Sequence, residues 1–193
     1  MAAAGGTNVT IPNIITLLRF FLVPGIVFAL MTQRMEWAFA CFLLAGISDG
    51  VDGFIARQFN QRSRLGAYLD PMADKLLLVS VFVVLGYMGE LPLWLVIAAV
   101  SRDALIIGAV IMSTIMGHPV EMRPLFVSKA NTAIQIGLAA VVLGELAFAT
   151  SLAFVRPALI YLSGLLTVAS AGAYLVGWLR HMSGYGKSDV PHR

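Results

Sequence analysis

Charge is scarce in this sequence. Only 12% of its 193 residues are Asp, Glu, Lys or Arg, where a soluble domain carries about a quarter. That shortfall argues against a water-soluble globule. Cysteine is scarcer still: Cys41 stands alone, which excludes a disulfide framework and leaves a small, buried apolar residue as the default reading. The apolar runs do not alternate with period two, so a lipid-facing barrel is excluded as well. Long polar linkers, internal repeats and low-complexity tracts are missing. The first ten residues lack the positive segment and cleavage pattern of a secretory signal, so none is expected. A net charge of +3 is too small to suggest nucleic acid as a partner.

Apolar residues fill the space: 59% of the chain is hydrophobic and the mean hydropathy is +0.87. They gather into runs of about 20 residues, the length of a transmembrane helix. Six such segments are expected, at roughly 14–32, 37–57, 67–88, 92–116, 127–149 and 156–180. The fold class is therefore an all-α integral membrane protein, a single bundle of six transmembrane helices. The short connections make successive helices antiparallel and leave no boundary for a second domain, so residues 1–193 read as one membrane domain. Lys and Arg set the orientation. Arg57, Arg62, Arg64, Arg123, Lys129, Arg180, Lys187 and Arg193 fall on one side, and only Arg34 and Arg156 on the other. Both termini, and the second and fourth connections, are therefore expected in the cytoplasm, or in the matrix if the protein is organellar.

Against this background four carboxylates stand out. S-D-G-V-D-G-F-I-A-R places Asp49 and Asp52 three residues apart near the end of the second segment. L-D-P-M-A-D-K places Asp70 and Asp74 four apart in the third. On helices both spacings bring the side chains to one face. A hairpin of the two segments would bring the two pairs together at the cytoplasmic side. Four carboxylates in a partly dehydrated site repel, and protonation or a bound cation relieves them. Hard divalent cations take oxygen ligands, and no His or Cys lies nearby to favour zinc, so one or two Mg²⁺ or Mn²⁺ ions are the simplest reading. Gly50, Gly53, Ala56, Gly66 and Ala67 surround the aspartates. Glycine costs about 1 kcal/mol relative to alanine inside a helix, so these positions suggest a closely approaching ligand, or equally tight helix packing. Arg57 can anchor the helix end or bind phosphate oxygens. For the aspartates the bland alternative is a set of ion pairs with Arg19, Lys75 and Arg102. Ionisable residues inside membrane segments favour function over that alternative. Metal, carboxylates and an arginine at a membrane surface suit phosphoryl chemistry.

The pattern Asp49-x-x-Asp52-Gly53-x-x-Ala56-Arg57, eight residues, then Gly66-x-x-x-Asp70-x-x-x-Asp74 resembles the signature of the CDP-alcohol phosphatidyltransferase family at every defined position. The resemblance extends to size and helix number. It implies a two-metal centre held by Asp49, Asp52, Asp70 and Asp74, with Asp74 also the base that activates the acceptor hydroxyl. It implies that Asp52, Gly53, Ala56 and Gly66 accommodate the nucleotide and Arg57 its diphosphate. It implies a homodimer too.

The flanking segments I-P-N-I-I-T-L-L-R, N-Q-R-S-R-L-G and L-D-P-M-A-D-K are similar to the branch that uses CDP-diacylglycerol with glycerol-type acceptors. V-S-R-D-A-L-I-I and F-V-S-K-A-N-T-A-I-Q are more similar to the members that transfer to phosphatidylglycerol, the cardiolipin synthases of mitochondrial type. Glycerol 3-phosphate is the alternative acceptor. Arg102 and Lys129 are candidate contacts to the acceptor's phosphate. Against this, Arg102 could pair internally with Asp103, and Lys129 could be a plain positive-inside lysine. Asn13, Thr16 and Arg19 share a helix face and are candidates to line the same cavity. Glu145 has no assignable role beyond a helix–helix hydrogen bond.

Two other classes compete. An ion-coupled transporter would spread its acids through the bilayer depth, often in paired repeats. A membrane prenyltransferase would place its aspartate motifs in separate halves of a longer chain. Here all four aspartates fall within one hairpin.

Overall fold

The computed structural model describes the backbone of residues 11–58, 64–115 and 126–185, and side chains within 18–49, 72–108, 111–112 and 126–177. Among the described residues all regular structure is helical: α1 (Ile11–Met31), α2 (Met35–Gln58), α3 (Arg64–Tyr87), α4 (Leu93–Ile115), α5 (Phe126–Phe148) and α6 (Val155–Tyr185). Each hydrophobic segment has become one helix. Their ends lie within three residues of expectation, except that α6 continues to Tyr185.

Two of these helices are long and apolar enough by themselves to cross a membrane, α5 over Phe126–Phe148 and α6 over Val155–Gly177. Their neighbours carry the charged residues that make the protein interesting. Large apolar side chains such as Phe21, Phe28, Trp37, Ile47, Leu105, Phe154 and Leu165 point outward, as they do where lipid is the solvent.

The chain divides into two compact units. The first comprises Met1–Glu90 and Ala139–Leu152, the second Leu91–Leu138 and Ala153–Arg193, so α5 contributes to both. In the first, α1 packs against α2 and α3. Its buried stripe runs Arg19, Val23, Ile26 and Leu30, recurring every three or four residues as one helix face does. Ala38, Phe42 and Ala45 are buried on α2, and Ala73, Leu77, Val81 and Leu85 on α3. The alanines let these helices approach closely. The end of α5 joins through Phe148, whose ring stands edge-on to Phe39 with centroids 5.5 Å apart.

Three helices end in the same way. Arg34 N donates to Ala29 O (2.8 Å), Glu90 N to Leu85 O (2.9 Å) and Thr150 N to Glu145 O (3.1 Å). Each pattern needs a left-handed residue just past the helix, here Gln33 (φ 60°), Gly89 (φ 81°) and Ala149 (φ 49°). Only one of the three is glycine. Glu145 supports its own turn. Its carboxylate accepts from the backbone N–H of Leu152, in the connection after α5.

In the second unit α4 packs against α6. Gly164 admits the Trp94 indole: a Cβ at that glycine would lie 2.7 Å from Trp94 Cη2 and Cζ3. Trp94 is half exposed.

Candidate active site

Asp49 and Asp74 are brought together by one arginine. Arg19, contributed by α1, is completely buried. Its Nη2 lies 3.1 Å from Asp49 Oδ1 on α2, and its Nη1 donates to Asp74 Oδ1 on α3. The first and last carboxylates of the eight-position motif thus meet the two terminal nitrogens of a single guanidinium. Arg19 follows from its place on the buried stripe of α1, where the next inward residues are Val23 and Ile26. An arginine in that stripe is costly unless carboxylates meet it. Two of them do.

The two carboxylates are not buried like their partner. Their side chains remain 49% and 43% exposed, so a ligand can approach them from the side away from Arg19. The other motif residues lie on the same two helices. Asp52, Gly53, Ala56 and Arg57 occupy the last turns of α2, and Gly66 and Asp70 the first turns of α3. Their side chains lie outside the described residues, as do those of Asn13 and Thr16. The ion-pair alternative weighed for the aspartates is realised for Asp49 and Asp74 through Arg19.

The donor chemistry fits a hard divalent cation. The two carboxylates offer oxygen only, pair with a guanidinium, and keep an accessible side. Among the described residues no third His, Cys, Asp or Glu joins them.

Arg102 has a different setting. It is buried on α4 and bonds inward: Nη1 donates to Asp103 Oδ1 (2.6 Å), Nε and Nη2 to Ser170 Oγ (3.1 and 2.9 Å), and Nη2 also to Ser128 Oγ. The internal pairing considered for this arginine is present, and it ties α4 to α5 and α6. Below it the seam continues. Thr167 donates to Asn131 Oδ1 (3.1 Å), and Gln135 Nε2 donates to Thr167 Oγ1 (3.3 Å). This seam was not expected. Its signal was present in the spacing, since Ser128, Asn131 and Gln135 share one face of α5, and Ser163, Thr167 and Ser170 one face of α6. Lys129, one residue after Ser128, is exposed. Beside the seam, α4 and α6 form an open apolar pocket of about 950 Å³ lined by Leu105, Ile106, Met112, Val168 and Leu175, with Arg102 and Thr167 in its wall.

Comparison with known proteins agrees with the motif. Residues 9–171 match the family described as CDP-alcohol phosphatidyltransferase. The chain belongs to that family. It is 34% identical over 181 residues to the human protein named cardiolipin synthase (CMP-forming), covering 86% of this chain and 60% of that one. It is 36% identical over 129 residues to the Streptomyces coelicolor protein of that name, covering 64% and 60%. To the rat protein of that name it is 35% identical over 147 residues, covering 68% and 49%. The chain thus spans less than two-thirds of these relatives.

Proposed function

We propose that this chain is a phosphatidyltransferase that moves the phosphatidyl group of CDP-diacylglycerol to phosphatidylglycerol, forming cardiolipin and releasing CMP. The observation that carries this is the meeting of Asp49 and Asp74 at one partly exposed point. The similarity to CMP-forming cardiolipin synthases from human and Streptomyces coelicolor supports the choice of acceptor. In the reaction the acceptor's hydroxyl oxygen bonds to the phosphorus that carries diacylglycerol. The bond from that phosphorus to the CMP oxygen breaks, and CMP leaves with the electron pair. Asp74 takes the hydroxyl proton, since a carboxylate within reach of an attacking hydroxyl acts as general base. Arg57 holds the diphosphate, and Gly53, Ala56 and Gly66 leave room for the nucleotide. Asp49, Asp52, Asp70 and Asp74 would hold two Mg²⁺ or Mn²⁺ ions, which neutralise diphosphate charge and orient the displacement.

Arg102 and Lys129 are the candidate contacts to the acceptor's phosphate in this reading. All six helices span the bilayer, the excess of Lys and Arg keeps the active end in the cytoplasm or matrix, and the protein works as a homodimer. The deciding assay offers labelled CDP-diacylglycerol with Mg²⁺ or Mn²⁺, and phosphatidylglycerol or glycerol 3-phosphate in parallel. Cardiolipin and CMP from phosphatidylglycerol alone are expected. Phosphatidylglycerophosphate from glycerol 3-phosphate would overturn the acceptor, and no CMP under any condition would overturn the reaction.

A further inference from the structure

The burial of Arg19 is opposite to that of its partners. The guanidinium is 0% exposed, while Asp49 and Asp74 are 49% and 43% exposed. A guanidinium does not lose its proton in a protein, so its charge is permanent. It is also fixed on the inner side of the carboxylates by the α1 backbone. Asp49 and Asp74 come from two different helices, and the guanidinium's two terminal nitrogens each take one. A lysine ammonium, a single point of charge, cannot divide itself in this way.

We propose that Arg19 is a built-in counter-cation of the carboxylate cluster, which a divalent ion must compete with for the oxygens of Asp49 and Asp74. The inference rests on the metal-dependent reading above and adds a residue outside the eight-position motif. Without an ion, Arg19 holds α2 and α3 together at Asp49 and Asp74 against the repulsion of those aspartates. When an ion enters from the exposed side, the same positive charge opposes it. Binding of the ion alone is therefore weak, and it strengthens when a diphosphate brings further negative charge. Arg19 is a positioning residue in this account, acting through the carboxylates.

The test is Mn²⁺ binding to the purified full chain, followed by electron paramagnetic resonance without substrate. Removing one positive charge beside a dication in a partly buried site should tighten binding by about tenfold or more. Arg19→Gln should show that gain, together with a lower unfolding temperature without metal and a larger rise on adding Mn²⁺. Arg19→Lys retains the charge and should stay within about threefold of wild type. Unchanged or weaker binding in Arg19→Gln overturns the proposal. Should that variant not fold, the wild-type chain decides through crystal structures with and without Mn²⁺. A guanidinium displaced from Asp49 or Asp74 in the loaded state supports the proposal, and one still on both overturns it. If wild type binds no Mn²⁺ even with a cytidine diphosphate lipid present, the metal-dependent reading fails along with this one. If wild type binds and Arg19→Gln does not differ, only this inference fails.

Discussion

Ser170 on α6 accepts two hydrogen bonds from Arg102 on α4, one from Nε at 3.1 Å and one from Nη2 at 2.9 Å. A single hydroxyl thus receives two of the three nitrogens of a buried guanidinium. Between membrane helices such bonds replace the hydrophobic drive that lipid removes. Ser170→Ala leaves both donors without this acceptor and should destabilise the protein by about 1–3 kcal/mol. Unfolding in mixed micelles measures it, and a change near zero would mean that Ser128 and Asp103 suffice for Arg102.

Gly164 makes room for the indole of Trp94. Gly164→Ala puts a methyl group 2.7 Å from two ring carbons, so the ring must move. The expected cost is about 1–3 kcal/mol. In a Trp94→Leu background the same substitution should cost much less. An equal cost in both backgrounds would show that the glycine serves something other than the indole.

Ala149 holds φ 49° just past α5, a conformation that L-residues with a Cβ pay about 1–2 kcal/mol to adopt. Ala149→Gly removes that strain, and the glycine's larger unfolded-state freedom offsets part of it. A net gain of about 0.5–1 kcal/mol is expected. Gln33, at φ 60° after α1, is the matching site. A lower unfolding temperature for Ala149→Gly would show that the side chain there contributes packing.

Asp74→Asn keeps the shape of the side chain and removes its ability to take a proton. CMP release should fall by about 10²–10⁴-fold or more, while the far-ultraviolet circular dichroism of the helices stays unchanged. Activity retained within about tenfold would take Asp74 out of the base role.

Much of the helical framework can be read from the sequence. Continuous apolar runs of about 20 residues favour helix over strand, so all six segments were found near their observed ends, except that α6 continues past its expected end to Tyr185. The aspartate motif was legible for a related reason. Charge is so rare here that four carboxylates in one hairpin cannot be background.

Which side chain pairs with Asp49 and Asp74 was decided by tertiary structure. Arg19, Lys75 and Arg102 were equal candidates as partners, since pairing depends on which helix faces meet. Arg19 lies on the stripe of α1 that packs against both α2 and α3, so it reaches Asp49 and Asp74. Arg102 lies on the face of α4 that meets α6, so it reaches Ser170 instead. The seam of Asn131, Gln135 and Thr167 escaped the sequence reading for the same reason. A Ser, Thr, Asn or Gln inside an apolar run is cheap enough to need no partner on paper, and only the tertiary structure shows that Asn131 and Gln135 on α5 both bond to Thr167 on α6. Sequence alone determined the helices and the kind of chemistry their charges suit. Tertiary structure decided which charge neutralises which, because that depends on the rotation of one helix against another.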